Sequence, residues 1–92
     1  MTQAFDPWLT LDELCRAAGV APDWVVEHVH AGLIEVQGDA AAAWHFDALI
    51  VRRVRSMHRI EHGFDAVPEL AALVADLEDE VARLRRRLAI FE

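Results

Sequence analysis

The chain has 92 residues, 54% of them hydrophobic and 27% charged, with four Gly and three Pro, a make-up that excludes a disordered or low-complexity protein and fits one folded domain. A domain of this size buries only about two-thirds of its unfolded surface, so cover from a partner or a second copy is expected. The net charge of −7 is uneven: residues 1–50 hold eight acids against the single base Arg16, and residues 51–92 hold eight Arg against eight acids. A phosphate backbone is bound by neutralising it with Lys and Arg, so the first half is a poor nucleic-acid surface and a suitable one for a basic partner.

Residues 1–8 are read as an N-terminal arm, and residues 9–64 as the folded body. Thr10 with Glu13 three residues later has the spacing of a capping box and opens a first helix, whose apolar face is Leu11, Leu14, Cys15 and Ala18 and which Gly19 ends. Pro22 near a first turn starts a second helix. Val25, Val29 and Val26 face inward, Glu27, His28 and His30 lie more exposed, and Gly32 stops it. Two short strands, residues 33–36 and 43–46, are expected around a turn at Gln37-Gly38-Asp39, with the alanines 40–43 lengthening the connection. Asp47 is the expected N-cap of a third helix running to about His62. Leu49, Ile50, Val54, Met57 and Ile60 form its apolar face, and Arg52, Arg55 and Arg59 its other side. Gly63 is expected to break it, with Asp65 capping the next helix and Pro68 in that helix's first turn.

The last helix carries the clearest pattern, and residues 65–92 are read as a unit for self-association. Leu70, Val74, Leu77, Val81, Leu84, Leu88 and Phe91 alternate at four and three residues, a heptad seam. Acids precede arginines along it, in accord with the helix dipole, and Asp79 and Arg83 are an expected pair at i,i+4. At about 1.5 Å per residue the helix is roughly 35 Å long, more than the body can cover, so the surplus seam predicts a homodimer.

The order helix, turn, helix, two-stranded wing, helix and long helix, with Leu9-Thr10-Leu11-Asp12-Glu13-Leu14, Ala18-Gly19-Val20, Gly32-Leu33-Ile34, Trp44-His45-Phe46-Asp47 and Gly63-Phe64, resembles the MerR-type winged helix-turn-helix. The expected class is therefore mainly α, with a small two-stranded wing and a long C-terminal heptad helix. Classical MerR regulators carry an Arg-Tyr-Tyr run in the second helix that grips phosphate; this sequence has Val26, Glu27 and His28 there, and His45 near the usual wing arginine. Short acidic proteins with this body and an arginine-rich end such as Leu84-Arg85-Arg86-Arg87-Leu88 resemble the CbpM family of chaperone modulators. That resemblance implies a protein that covers the J-domain of a CbpA-like, DnaJ-type co-chaperone and blocks its stimulation of DnaK. A MerR-type DNA-binding transcription regulator is the alternative.

The expected partner surface consists of Glu27, Glu35, Asp39 and Asp47, with Asp65 and Glu69 in second rank and an exposed Trp24 as an aromatic anchor. Leu70, Val74, Leu77, Val81, Leu84 and Leu88 are the self-association residues. His58 and His62 have metal-pair spacing but no Cys or HExxH beside them, so a surface pair or a cap is expected. Cys15 has no evident base partner and is read as a small core residue. No phosphate loop, carboxylate pair or triad spacing is present, which points to a non-enzyme without metal or cofactor. One cysteine, no signal-type start and no apolar run of roughly 18 residues lead to the expectation of a cytoplasmic protein.

Overall fold

A computed structural model describes residues 8–91. The N-terminal arm therefore lies outside the described residues except for Trp8, as does Glu92. Strand β1 (Trp8–Leu9) leads into α1 (Leu11–Ala18), followed by α2 (Pro22–His30), β2 (Phe46–Asp47), α3 (Ile50–Phe64) and α4 (Pro68–Ile90).

The first two helices start and stop where their sequence signals lie. The Thr10 hydroxyl accepts from the Glu13 amide at 3.1 Å, and the Glu13 carboxylate accepts from the Thr10 amide at 2.9 Å. Two of the amide protons left over at a helix start are thereby satisfied. Gly19 (φ 75°) takes the left-handed conformation that ends α1. Gly32 (φ 78°) lets the Leu33 amide return to the His28 carbonyl at 3.0 Å after α2.

The wing departs from expectation. Residues 33–36 form no strand; the one isolated bridge among the described residues joins Gln37, just after them, to His45, and the amides and carbonyls of these two exchange bonds of 3.0 and 2.8 Å. The regular pairing is instead between β1 and β2, antiparallel, with Trp8 opposite Asp47 and Leu9 opposite Phe46. Ala41–Ala43 curls into a 3-10 turn. Exposed alanines bury nothing in a hairpin and have weak strand preference, whereas fully buried Phe46 anchors β2 on the core.

The third junction also differs. Asp47 is not the helix N-cap: its Oδ1 accepts from the Leu49 amide at 2.9 Å, forming a turn ahead of a helix that starts at Ile50. Gly63 does not break α3, which runs through it to Phe64. The left-handed residue is Asp65 (φ 53°), which ends α3 and does not cap α4. Aspartate tolerates this region better than most side chains. Val67 is extended (φ −69°, ψ 154°), as a residue before proline must be, and α4 begins on Pro68.

Leu14, Val25, Ile34, Trp44, Phe46, Val54, Met57 and Ile60 make the core, closed on one side by Ala71, Ala72 and Ala75 of α4. Small side chains on α4 let it approach α3 closely. The heptad residues lie roughly 150° around the helix from those alanines, at about 100° per residue. One helix therefore has two apolar faces; the alanine face is buried within the chain, and of the heptad face Val74 packs partly against the core while Leu77, Val81, Leu84 and Leu88 stay exposed. No helix among the described residues is long and apolar enough to cross a membrane.

Candidate functional site

Helix α2 stands where a helix-turn-helix keeps its reading side chains, and its inner face is occupied by a polar network. His28, expected to be exposed, is 5% exposed. Its Nδ1 lies 2.6 Å from the Trp24 carbonyl and its Nε2 2.7 Å from Glu61 Oε2 on α3. A carbonyl only accepts, so Nδ1 donates, and a second proton lies between Nε2 and the carboxylate. Trp24 Nε1 donates to the other oxygen of Glu61 at 3.2 Å, and the indole stacks on the imidazole with ring centroids 3.6 Å apart. Trp24 is thus half-buried with its N–H engaged, and is not the freely exposed anchor expected from the sequence. The outward face of α2 keeps Glu27 and His30.

The α3 arginines are engaged within the chain. Arg53 donates to the Leu33 carbonyl at 3.0 Å and pairs with Asp76. Arg59 holds both oxygens of Glu78, at 3.0 and 2.9 Å; Arg52 lies 3.7 Å from Asp79; Arg55 donates to the Ala17 carbonyl at 2.7 Å. Arg52, Arg55 and Arg59 remain exposed, and each also reaches a group on α4 or α1. Arg83 pairs with Glu80, not with Asp79, and this contact holds the Glu80 carboxyl below its ordinary range and raises Arg83. Arg85, Arg86 and Arg87 have no ion pair among the described residues.

The six acids expected at the partner surface do not form one cluster. Glu35 and Asp47 border the same shallow hollow beside Trp8, Val36 and Ile50. Asp47 keeps one oxygen on the Leu49 amide. Glu27 is exposed on α2 and Asp39 at the wing turn. Asp65 lines a groove at the α3–α4 elbow, and Glu69 is exposed in the first turn of α4.

That elbow groove, of about 620 Å³, is lined mainly by apolar residues, among them Ile60, Phe64, Val67, Leu70 and Val74. It opens onto the exposed part of the heptad face of α4, where Leu77, Val81, Leu84 and Leu88 are 55, 45, 43 and 65% exposed and Phe91 83%. Phe64 and Val67, absent from the sequence-derived set, extend this strip. They precede the heptad helix, so only the elbow's folding places them on it. Large contiguous apolar patches of this kind mark interaction sites.

The remaining reactive groups are Cys15, His58 and His62. Cys15 is buried, and burial followed by the nearby Asp12 charge pushes its thiol up, which disfavours the thiolate. His62 Nδ1 bonds the His58 carbonyl at 3.0 Å, and the two rings lie 4.1 Å apart. Burial, then the neighbouring His62, lowers the His58 pKa. Among the described residues no group of three or more His, Cys, Asp or Glu is placed to hold a metal ion.

The family model for MerR HTH family regulatory proteins matches residues 9–92. Relatives bearing the name chaperone modulatory protein CbpM align over 90% of this chain and 89% of their own length. They come from Pseudomonas entomophila (strain L48), 32% identical, and from Pseudomonas putida strains W619 and GB-1, 33% and 34% identical.

Proposed function

This chain belongs to the MerR HTH regulatory family and to the CbpM chaperone modulators, and from that premise we propose that it modulates a CbpA-like co-chaperone by covering its J-domain and so blocking stimulation of DnaK. The observation that carries this reading is the loss of a cationic grip. The helix in the reading position has no Arg or Lys, the first fifty residues hold one base against eight acids, and the α3 arginines are tied to neighbouring elements. Such a surface repels a phosphate backbone and complements a basic polypeptide helix. A J-domain engages its chaperone through a basic helix beside a His-Pro-Asp loop, so occupancy of that helix is sufficient for inhibition and no chemistry is required.

Glu27, Glu35, Asp39 and Asp47 are the first-rank contacts, with Asp65 and Glu69 behind them and the rim of Trp24 as the apolar neighbour. Charges of this kind chiefly set the rate and orientation of encounter, while adjoining apolar atoms supply most of the affinity. Residues 65–92 serve self-association as a homodimer. The test is calorimetric titration against a purified J-domain, paired with a DNA shift assay. The expected result is salt-sensitive J-domain binding that charge reversal at Glu27 and Asp47 weakens about tenfold or more, roughly 1.4 kcal/mol. Binding that ignores both reversals removes this patch from the proposal, and tight DNA binding with no J-domain binding favours the transcription-regulator alternative.

A further inference from the structure

The last turns of α3 carry His58-Arg59-Ile60-Glu61-His62. This is the order H-x-x-E-H, in which one class of zinc peptidases sets two metal-binding histidines and a carboxylate base on a single helix. We propose that His58 and His62 form a chelating site for a divalent transition metal of the nickel, copper and zinc class, and that the site binds its ion without hydrolytic chemistry. Metal binding there does not depend on which partner the chain meets.

Residues four apart on a helix lie one above the other, and the two imidazoles do so, with ring centroids 4.1 Å apart and planes 34° from parallel. An ion with metal–nitrogen bonds of about 2.0–2.1 Å holds two neighbouring nitrogens roughly 3 Å apart, a span that these rings reach by small side-chain rotations. The His62 ring is held in position. Its Nδ1 donates to the His58 carbonyl at 3.0 Å, so in the neutral ring Nε2 is the nitrogen that keeps a lone pair. A backbone carbonyl on the other ring nitrogen is a usual way of orienting a metal-binding histidine. His62 is exposed. The ring nitrogens of His58 have no hydrogen-bond partner among the described residues, yet they are not shut away from solvent, since no buried side-chain nitrogen or oxygen there lacks a partner.

Glu61 separates this site from a peptidase. Its Oε1 accepts from Trp24 Nε1 at 3.2 Å and its Oε2 meets His28 Nε2 at 2.7 Å. Both oxygens are thus engaged with α2, and neither is free to activate a metal-bound water. No third His, Cys, Asp or Glu joins the pair among the described residues, so water completes the coordination shell. Two imidazoles and water favour the later transition metals over Mg²⁺, which takes oxygen ligands.

The experiment titrates the untagged full-length chain with NiCl₂ and follows the indole N–H signals of its three tryptophans by nitrogen-edited proton NMR, because paramagnetic Ni²⁺ broadens signals close to it. Trp24 reports on His58, with ring centroids 5.6 Å apart, and Trp44 reports on exposed His30, with centroids 5.8 Å apart. Expected is loss of the Trp24 signal ahead of the Trp44 signal, with no response to Mg²⁺. In calorimetric titrations, His58→Gln and His62→Gln are each expected to weaken Ni²⁺ binding about tenfold or more. Because His62 is exposed, His62→Gln keeps the fold, which circular dichroism verifies. Loss of the Trp44 signal first, no change in any indole signal, an equal response to Mg²⁺, or undiminished binding by His62→Gln each overturns the proposal.

Discussion

Replacing Glu61 by alanine removes one side chain and leaves two donors, on buried His28 and half-buried Trp24, without their acceptor. Glu61 accepts from Trp24 Nε1 at 3.2 Å and meets His28 Nε2 at 2.7 Å, with the Glu61 side chain 13% and that of His28 5% exposed. Removing one member of a buried ion pair costs about 3–5 kcal/mol. His28 keeps its Nδ1 bond to the Trp24 carbonyl and half-buried Trp24 can turn its N–H toward water, which puts the expected loss near the lower bound, about 3 kcal/mol. For a domain of this length each kcal/mol moves the midpoint by roughly 4–8 °C, so Tm falls by about 12–24 °C. Glu61→Gln keeps an oxygen for Trp24 and changes only the His28 contact, and is expected to cost about 1–2 kcal/mol. Urea unfolding followed by circular dichroism measures both, and a cycle with His28→Ala is expected to give a coupling above roughly 1 kcal/mol. A Glu61→Ala protein within about 0.5 kcal/mol of the native one would refute the claim that this pair fastens α2 to α3.

His58 has a folded pKa below the 6.5 of the free side chain, so the unfolded chain binds its proton first on acidification. Stability from this group is complete above about pH 6.5 and declines as pH falls through that value toward the depressed folded one. His58→Gln is expected to flatten that acid limb in urea midpoints measured across pH; an unchanged limb contradicts the assignment. Gly38 has φ +115°, and a Cβ there would stand 2.5 Å from the Ala43 carbonyl oxygen. Gly38→Ala is therefore expected to cost more than about 1 kcal/mol and to disturb the Gln37–His45 bridge, read as faster hydrogen exchange of those amides.

Local signals that act within one turn were legible in the sequence. The capping box of Thr10 and Glu13, the left-handed Gly19, and Pro68 opening the last helix are interactions between residues at most four apart, whose outcome depends on little else. Membership of the family was legible for the same reason: its motifs sit at these junctions. The errors came where local preferences compete. Gly63 has the freedom to end a helix but is not compelled to, and α3 continued to Phe64, with Asp65 as the left-handed residue that ends it. Residues 33–36 and 43–46 have strand character, but β2 found its partner in Trp8–Leu9, more than thirty residues away.

What the sequence determined by itself was the fold class, the acidic character of the reading helix and the heptad period of α4, because composition and periodicity are properties of the chain before it folds. Only tertiary structure decided how those features are used. It buried His28 against Glu61 across 33 residues, tied the α3 arginines to neighbouring elements at the surface, and put alanines rather than the heptad leucines against the body. The physical reason is that a helix pattern fixes which side chains share a face. Which of two apolar faces meets the core is settled by packing, and small alanines allow the closer approach.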